Sequence, residues 1–250
     1  MTELTDEYRE RGYVVVDGLV EAQNVVALAE RLRAIADGEH PFPEALIEYE
    51  PGAEKQRALS NLRKINSPAR HDELFLEHAK TPAVLDVVEQ LVGADIKLFS
   101  DQAFMKPPGG IEKTYHQDSA YFYVEPADLV TCWLALDDVT VENGCLWVIP
   151  GSHRHGIKDH SQEWDIGNRV DKMIPDAAVD RSQEVPITLR AGSCSFHHSV
   201  LMHRSGPNTT STRRRGLATH YMSATSRWVG EPDQKPVYPL LRGREHIGAV

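Results

Sequence analysis

The sequence Thr114-Tyr115-His116-Gln117-Asp118 lies between a turn rich in Pro and Gly and an aromatic run. Along an extended chain alternate side chains point the same way, so His116 and Asp118 present an imidazole and a carboxylate to one point while Gln117 faces elsewhere. Those two groups belong to the two-histidine, one-carboxylate set that holds mononuclear non-haem Fe(II). The stretch therefore predicts two ligands on one strand edge and requires a further histidine from another strand.

The spacing His-X-Asp is weak by itself, because the chain contains 12 histidines and such a triplet also arises by chance or as a surface hydrogen bond. His203 is the candidate for the third ligand. His197 and His198 are alternatives on a strand-like stretch, where a histidine is more often a hydrogen-bonded core residue than a ligand. These residues alone leave the third ligand open.

Four separated blocks of the sequence resemble the phytanoyl-CoA dioxygenase family of Fe(II)- and 2-oxoglutarate-dependent oxygenases. The blocks are Phe-Met-Lys-Pro-Pro-Gly at 104–109, His-Gln-Asp at 116–118, Glu-Asn-Gly-Cys-Leu-Trp-Val-Ile-Pro-Gly-Ser-His at 142–153, and His-Arg-Ser-Gly-Pro-Asn at 203–208 followed by Arg-Arg-Arg at 213–215. They occur in the family's order and cover the second half of the chain well and its first third loosely. The block that begins at His203 favours this residue over His197 and His198.

The resemblance implies that Fe(II) is bound by His116, Asp118 and His203, with 2-oxoglutarate and O2 as the other reactants. It implies oxidation of a C–H bond in a small-molecule metabolite, with release of succinate and CO2. Halogenating relatives have a small residue in place of the aspartate, so Asp118 favours hydroxylation or a related oxidation. The family's substrates are diverse, and the sequence does not choose among them.

The resemblance also implies a cosubstrate site. Arg214 stands 11 positions after His203, as in the family, and a guanidinium can bind the distal carboxylate of 2-oxoglutarate through two parallel hydrogen bonds. Ser205, Gln102 and Lys64 occupy positions where relatives contact the cosubstrate. The alternative for each of these three residues is an ordinary structural role, as a bonded strand residue or a surface lysine.

Aromatic residues near the first two ligands are candidates for substrate contacts. We expect Tyr121, Tyr123 and Trp133 to line the substrate pocket, although aromatic residues in such places are more often part of the core. His153 and His155, which are separated by one residue, could indicate a second metal. We favour a structural role for them, because no carboxylate or cysteine stands at ligand spacing beside them.

Composition excludes several classes of function. The chain has 27 Lys and Arg against 37 Asp and Glu, a formal charge of -10 at pH 7, which repels a nucleic-acid backbone. No apolar run approaches the roughly 20 residues that span a bilayer, and the polar opening lacks a signal peptide, so we expect no membrane association and a cytoplasmic location. Cys132, Cys145 and Cys194 are odd in number and lie in apolar stretches, which predicts buried thiols rather than disulfides.

Periodicity and turn residues predict the secondary structure. Helices are expected at 6–11, capped by Thr5, and at 21–36, 73–78 and 82–91; strands are expected at 13–16, 96–104, 129–136, 145–149, 185–190, 193–197 and 217–222. Residues 39–70 have little periodicity and predict a long loop with some short helix, and residues 156–184 are either a lid over the site or a surface excursion. The short strands predict a mainly β fold, a double-stranded β-helix (jelly roll) flanked by helices.

We expect a single domain over residues 1–250, with a helical portion at 1–95 packed on the barrel, a jelly-roll core at 96–225 and a C-terminal extension at 226–250. The same barrel could instead hold Zn2+ and act as an isomerase or hydrolase, in which case Arg214 would be dispensable. It could also be a non-catalytic small-molecule binder. Binding of 2-oxoglutarate would exclude the zinc-dependent enzyme, and formation of succinate would exclude the non-catalytic small-molecule binder. The sequence does not predict the oligomeric state.

Overall fold

The computed structural model describes residues 3–165 and 170–250. Over these residues the chain forms five α-helices, all in its N-terminal part: α1 (Glu3–Arg11), α2 (Ala22–Ala36), α3 (Pro68–His71), α4 (Glu73–Ala79) and α5 (Pro82–Val92). Local sequence accounts for their ends. The Asp72 side chain caps α4 by accepting the backbone N–H of Leu74 at 2.9 Å, and Gly93 ends α5 with a positive φ of 96° that favours glycine.

The described residues also form sixteen strands, most of them short. They are β1 (Tyr13–Val16), β2 (Ile47–Tyr49), β3 (Leu62–Asn66), β4 (Ile96–Phe104), β5 (Lys113–His116), β6 (Val124–Glu125), β7 (Val130–Ala135), β8 (Leu146–Val148), β9 (Gln162–Asp165), β10 (Val170–Met173), β11 (Val185–Ile187), β12 (Cys194–His198), β13 (His203–Ser205), β14 (Gly216–Ser223), β15 (Arg227–Trp228) and β16 (Leu240–Arg242). The mainly β fold class predicted from the sequence is confirmed.

Two antiparallel sheets form the barrel. The large sheet has the strand order β1-β12-β7-β14-β4-β3-β2, with β16 also paired to β4, and the small sheet has the order β11-β8-β13-β5. Side chains of both sheets meet in one apolar cluster, which includes Trp133 and Ala218 from the large sheet and Leu146 and Val148 from the small sheet. Strands distant in sequence are neighbours in both sheets, as expected of a jelly roll.

The large sheet has one apolar face toward the helices and one face toward the barrel interior. On β7, Cys132 and Leu134 belong to the same buried cluster as Leu32 of α2, whereas Thr131 and Trp133 line an interior cavity. Side chains alternate between the two faces of a strand. The interior face can therefore carry polar and aromatic groups without disturbing the core beneath the helices.

The N-terminal third departs from the sequence prediction in two places. Helix α1 begins at Glu3, so Thr5 lies inside the helix rather than at its cap. Residues 39–70 were expected to form a long loop with some short helix. Short helices do occur there, at Glu44–Leu46 and at the start of α3, but the segment also contributes β2 and β3 to the large sheet, so the expected loop was wrong. Strand β3 has no apolar alternation that marks it; its pairing with β4, which places Lys64 opposite Phe104, fixes it instead.

Residues 156–184, expected to form a lid or a surface excursion, contain the antiparallel hairpin of β9 and β10. Residues 166–169 of that segment lie outside the described residues. No helix among the residues that the structure describes has the length and apolar character needed to cross a bilayer.

Candidate active site

His116, Asp118 and His203 converge on one point at the edge of the small sheet. His116 ends β5 and His203 begins the neighbouring antiparallel strand β13, where the two residues lie directly opposite each other. The Nε2 atoms of His116 and His203 lie 3.8 and 3.6 Å from Oδ1 of Asp118. The three ligand atoms lie within 4.8 Å of one another, and no other group of this kind occurs among the described residues. We call these residues the His-Asp-His triad.

Both histidines are held in the same orientation by their own backbone. Nδ1 of His116 lies 2.9 Å from the carbonyl oxygen of Thr114, and Nδ1 of His203 lies 2.9 Å from that of Leu201. A carbonyl oxygen accepts, so Nδ1 carries the hydrogen and Nε2 keeps a free lone pair. Burial lowers the pKa of both imidazoles. Both side chains are therefore neutral and present the nitrogen that a metal binds.

The Asp118 carboxylate is buried and ionised. Burial by itself raises its pKa, but the surrounding His203, His197 and His220 outweigh this effect and hold the pKa well below the usual range. Oδ1 faces the two histidines of the triad, whereas Oδ2 accepts a hydrogen bond of 3.0 Å from the Thr131 hydroxyl. The neighbour Gln117 faces elsewhere, as predicted, and its amide donates to the carbonyl oxygen of Val200 at 2.7 Å.

The two histidines that competed with His203 lie on opposite faces of β12. His197 faces the cavity, where its Nε2 lies 3.6 Å from Oδ2 of Asp118, the carboxylate oxygen opposite to the one that faces the triad. His198 faces outward and packs against Tyr8 and His153. Neither belongs to the cluster of candidate metal ligands.

The far end of the cavity contains two buried cations without a carboxylate partner among the described residues. Arg214 is 2% exposed, donates from Nη2 to the carbonyl oxygen of Gly144 at 2.6 Å, and has no partner for Nε among those residues. The Lys106 ammonium donates to the Ser205 hydroxyl at 3.0 Å and to the carbonyl oxygen of Gly206. Burial lowers the pKa of Arg214 to about 10 and that of Lys106 well below its usual range. A bound carboxylate would satisfy both groups.

A cavity of about 260 Å³ connects the triad with these cations, and we call it the triad cavity. Among its described lining residues, five are Lys or Arg and three are Asp or Glu, the reverse of the acidic balance of the whole chain. Gln102 and Lys64 line its wall, and Lys64 pairs with Glu48 at 3.1 Å. The excess of positive charge suits a reactant with two carboxylates, so the residues present fit both Fe(II) and 2-oxoglutarate.

The three aromatic residues expected around the substrate lie in different places. Tyr121 lines the triad cavity, and its ring centre lies 6.3 Å from that of His116. Trp133 also lines the cavity, but its ring lies beside the guanidinium of Arg214, 5.1 Å from the guanidinium carbon. Tyr123 does not line this cavity and contributes to a neighbouring groove.

Three residues around the site were not singled out from the sequence. Thr131 and His220 face the cavity from β7 and β14, and their side chains meet at 2.8 Å. The alternation of each strand could have placed both side chains inward. Lys106 stood in a recognised sequence block, but nothing in that block distinguished a buried cation from a turn residue. His153 contacts the carbonyl oxygen of Arg9 at 3.2 Å, consistent with the structural role expected for it.

A jelly-roll barrel in which two histidines and one carboxylate meet defines the class of mononuclear non-haem iron oxygenases. Residues 8–216 match the family described as Phytanoyl-CoA dioxygenase (PhyH). The chain belongs to this family, so the family, the jelly-roll fold and the enzyme class predicted from the sequence, a 2-oxoglutarate-dependent iron dioxygenase acting on a small molecule, are confirmed.

Individual relatives agree with this placement. The peroxisomal phytanoyl-CoA dioxygenase of Rattus norvegicus is 29% identical over 232 residues, which cover 89% of this chain and 68% of the rat protein. A probable alpha-ketoglutarate-dependent hypophosphite dioxygenase of Stutzerimonas stutzeri is 25% identical over 220 residues, which cover 87% and 77%. The crystal structure of SnoN, a non-haem alpha-ketoglutarate-dependent epimerase from nogalamycin biosynthesis, superimposes with a TM-score of 0.73 at 26% identity and covers 96% of this chain and 97% of SnoN.

Proposed function

We propose that His116, Asp118 and His203 bind one Fe(II), and that Arg214 binds the distal carboxylate of 2-oxoglutarate in an enzyme that hydroxylates a C–H bond of a small molecule. The observation that carries this proposal is the orientation of the two histidines. Both are fixed by their own backbone so that Nε2 faces the same oxygen of Asp118, in a cavity that also contains a buried arginine.

Four further residues complete the proposed cosubstrate site. Lys106 and Ser205 are bonded to each other beside Arg214, and Gln102 and Lys64 line the wall of the same cavity. The Lys106 ammonium and the Arg214 guanidinium would neutralise the distal carboxylate, and the flat Trp133 ring would keep the guanidinium in place. These groups would orient the cosubstrate with its keto acid toward the triad.

Bound Fe(II) and 2-oxoglutarate supply the oxidising power, with O2 consumed, the keto acid converted to succinate and CO2, and a substrate C–H bond hydroxylated. The chain's contribution is geometry, charge and exclusion of water. The triad would supply two nitrogen donors and one carboxylate oxygen to a bound Fe(II), and these three ligands would leave coordination positions free for reactants. Phe104, Leu146 and Ala218 form apolar parts of the cavity wall and limit the water around the reacting groups.

Anaerobic titration with Fe(II) and 2-oxoglutarate tests this proposal through the visible absorption band of the chelate. His203→Ala should abolish the band because it removes a ligand, and Arg214→Ala should weaken cosubstrate affinity by about 30-fold or more because it removes a buried charge partner. The matched controls are His155→Ala, an exposed histidine, and Arg213→Ala, the neighbour of Arg214. An undiminished band in both test variants contradicts the proposal. Turnover with Zn2+ in the absence of 2-oxoglutarate would instead favour the zinc-dependent isomerase or hydrolase.

We also propose that the chain is one domain and acts in the cytoplasm. The large sheet includes strands from residues 13–16 and from residues 240–242, which supports a single unit over residues 1–250. Cys132, Cys145 and Cys194 are buried free thiols, which suits a reducing compartment. Limited proteolysis that releases a stable fragment would contradict the single domain.

A further inference from the structure

A second cavity of about 390 Å³ opens beside the triad cavity. Its lining includes five aromatic side chains and one arginine: Phe99, Tyr121, Tyr123, Trp228, Tyr238 and Arg70. We call this cavity the aromatic groove. The proposed metal and cosubstrate sites do not account for this groove, because the triad and Arg214 line the other cavity.

The aromatic groove lies next to the triad cavity, and the two share one lining residue. Tyr121 belongs to the walls of both, and its ring lies 6.3 Å from the ring of the triad residue His116. The next residue, Phe122, lines the triad cavity and packs against Phe99 of the groove with ring centres 4.4 Å apart. Tyr121 therefore separates the two cavities, and a molecule with one carbon near the triad would reach the groove by crossing this ring.

The walls of the groove suit an apolar body. Tyr121 and Tyr123 are 40% and 61% exposed, and Tyr123 meets Trp228 edge to face at 5.7 Å. Phe99 and Tyr238, which also line the groove, stack at 5.5 Å with planes only 18° apart. Exposed aromatic rings grouped beside a reaction centre are characteristic of ligand contacts.

The groove also offers two donors for an anion. The Arg70 guanidinium donates to the carbonyl oxygen of Val237 at 3.1 Å and pairs with no carboxylate among the described residues. The Tyr238 side chain is buried, at 4% exposure, and its hydroxyl has no hydrogen-bond partner among the same residues. Arg70 lies close enough to Tyr238 to influence the pKa of its hydroxyl, which burial raises to about 12, so this hydroxyl keeps its proton.

Other cations near the triad are neutralised by carboxylates. The pairs are Arg63 with Glu50 at 3.2 Å, Lys64 with Glu48 at 3.1 Å and Lys113 with Asp171 at 2.6 Å. Arg214 and Lys106 belong to the proposed cosubstrate site. Arg70 is therefore the cation best placed to bind a negative charge on the substrate itself.

We propose that the aromatic groove binds the distal part of the substrate, and that the substrate is an amphipathic anion. It would have a flat or extended apolar body, which lies on Tyr121, Tyr123 and Trp228, and an anionic group that reaches Arg70 and the Tyr238 hydroxyl. The inference rests on the proposed function, because it takes the triad as the place of oxidation.

Calorimetry with two probes of the same shape tests the inference. The probes are 2-naphthoate and the uncharged 2-naphthalenemethanol, added to the protein holding Fe(II) and saturating 2-oxoglutarate without O2, so that the cosubstrate site is filled. We expect 2-naphthoate to bind about tenfold more tightly, and Arg70→Ala to remove that difference. Tyr123→Ala should weaken both probes by a similar factor, since it removes a stacking surface.

The matched control is Arg227→Ala, which removes an exposed arginine beside Trp228 that is 3.9 Å from Glu125. It should leave the binding of both probes unchanged. The inference is overturned if Arg70→Ala keeps the preference for 2-naphthoate, or if neither probe binds at millimolar concentration. It is also overturned if sedimentation shows a dimer that Tyr123→Ala dissociates, since a second copy would then cover the groove.

The chelate band recorded on the same samples separates the two proposals. A band in the wild type and in all three variants, without a probe preference, rejects the inference and keeps the proposed function. Probe binding without any band in the wild type rejects the proposed function, and the groove would then be a ligand site of another kind.

Discussion

The two oxygens of the Asp118 carboxylate have different neighbours, and this difference orients the proposed iron ligand. Oδ1 faces the triad histidines, and Oδ2 accepts from Thr131 at 3.0 Å. Because the Thr131 hydroxyl donates its single hydrogen to Asp118, it accepts from Nδ1 of His220 at 2.8 Å. The hydrogen bonds from His220 to Thr131 and from Thr131 to Asp118 therefore occupy Oδ2 and leave Oδ1 facing the two histidines, where it could bind the proposed ion.

Thr131→Val should lower Fe(II) affinity by about 10- to 100-fold, the usual effect of losing a hydrogen bond to a metal ligand. The substitution keeps the shape of the side chain and removes only the hydroxyl. Fe(II) titration without O2, followed by the chelate band, measures the change. Thr225→Val, at an exposed threonine, is the control. Equal Fe(II) affinity in wild type and Thr131→Val would show that Asp118 does not need this support.

Asp101 is a second buried carboxyl, away from the triad. One of its oxygens accepts the backbone N–H of Ala69 at 2.8 Å, and the other has no partner among the described residues. Burial raises its pKa from 3.8 to about 7. Between these two values the folded protein keeps a proton that the unfolded chain has lost, so stability falls as pH rises from about 4 to about 7 and is level above that range.

Asp101→Asn should remove this pH dependence and should be more stable than the wild type above pH 7. The free energy of unfolding of Asp101→Asn minus that of the wild type should increase by up to about 4 kcal/mol between pH 4 and pH 8. This upper limit is the free energy that corresponds to the pKa shift of Asp101. Urea unfolding of both proteins across this pH range measures the difference. The control is Asp233→Asn, a substitution at an exposed aspartate. A constant difference between wild type and variant would show that Asp101 does not keep its proton.

Residue-level prediction from the sequence worked where spacing carried the information. Alternation predicted that His116 and Asp118 lie together on one strand edge. They do lie together, but only His116 is in β5, and Asp118 begins a 3-10 helix after the extended Gln117. The family block supplied His203, which the structure puts opposite His116. The same reasoning did not find Thr131 or His220. Their importance comes from the contact between two strands that are distant in sequence, and a single sequence does not show which strands pair.

At the scale of elements, the hairpin of β9 and β10 contributes Asp171 to the lining of the triad cavity. Asp171 of β10 pairs with Lys113 of β5 at 2.6 Å, and both side chains are mostly buried. The Lys113 ammonium also lies 5.1 Å from the ring of Trp164 in β9. These contacts join the hairpin to the strand that ends in His116. The segment expected to be a lid or a surface excursion thus includes a wall of the site.

Asp171→Asn should loosen this hairpin, because it removes the negative charge that pairs with the partly buried Lys113 ammonium. Hydrogen–deuterium exchange in residues 162–165 and 170–173 should become faster, by about tenfold. Glu163→Gln is the matched control, since it breaks an exposed pair with Lys172, 3.0 Å long, in the same hairpin and such pairs contribute little. Unchanged exchange in Asp171→Asn would mean that apolar contacts alone hold the hairpin.

Elements with a clear apolar pattern were predictable, and those fixed by distant pairing were not. The strand at residues 96–104 was predicted with its observed bounds. Helix α2 has its buried residues at the predicted spacing, including Val25, Leu28 and Leu32. Strands β2 and β3 were missed because charged residues interrupt them. They are fixed by pairing instead, β3 with β4 and β2 with β3.

At the scale of the whole molecule, the residues of the main apolar core and the residues of the site lie on opposite faces of the large sheet. The helices cover one face with a continuous apolar core, while the other face carries the cavity residues. A substitution in the helical core should therefore change the stability of the molecule without changing the site in molecules that remain folded.

Leu32→Ala tests this separation, because Leu32 of α2 is 0% exposed. The lost side chain leaves a cavity and should lower the free energy of unfolding by about 2–5 kcal/mol, measured by urea unfolding. The affinity for Fe(II) and 2-oxoglutarate should be unchanged below the transition. Val26→Ala, at a position 60% exposed in the same helix, should change stability by less than about 0.5 kcal/mol. A weaker chelate in folded Leu32→Ala would show that the helical layer supports the site.

The central claim is that one ion is held by His116, Asp118 and His203 with the cosubstrate reaching from it to Arg214. A crystal structure of the protein grown without O2 with Fe(II) and 2-oxoglutarate, with data collected at the iron absorption edge, measures this directly. We predict one anomalous peak bound by these three side chains, and a carboxylate of 2-oxoglutarate hydrogen-bonded to Nε of Arg214. A peak bound by His197 or His220 instead, or a 2-oxoglutarate that does not touch Arg214, would contradict the account.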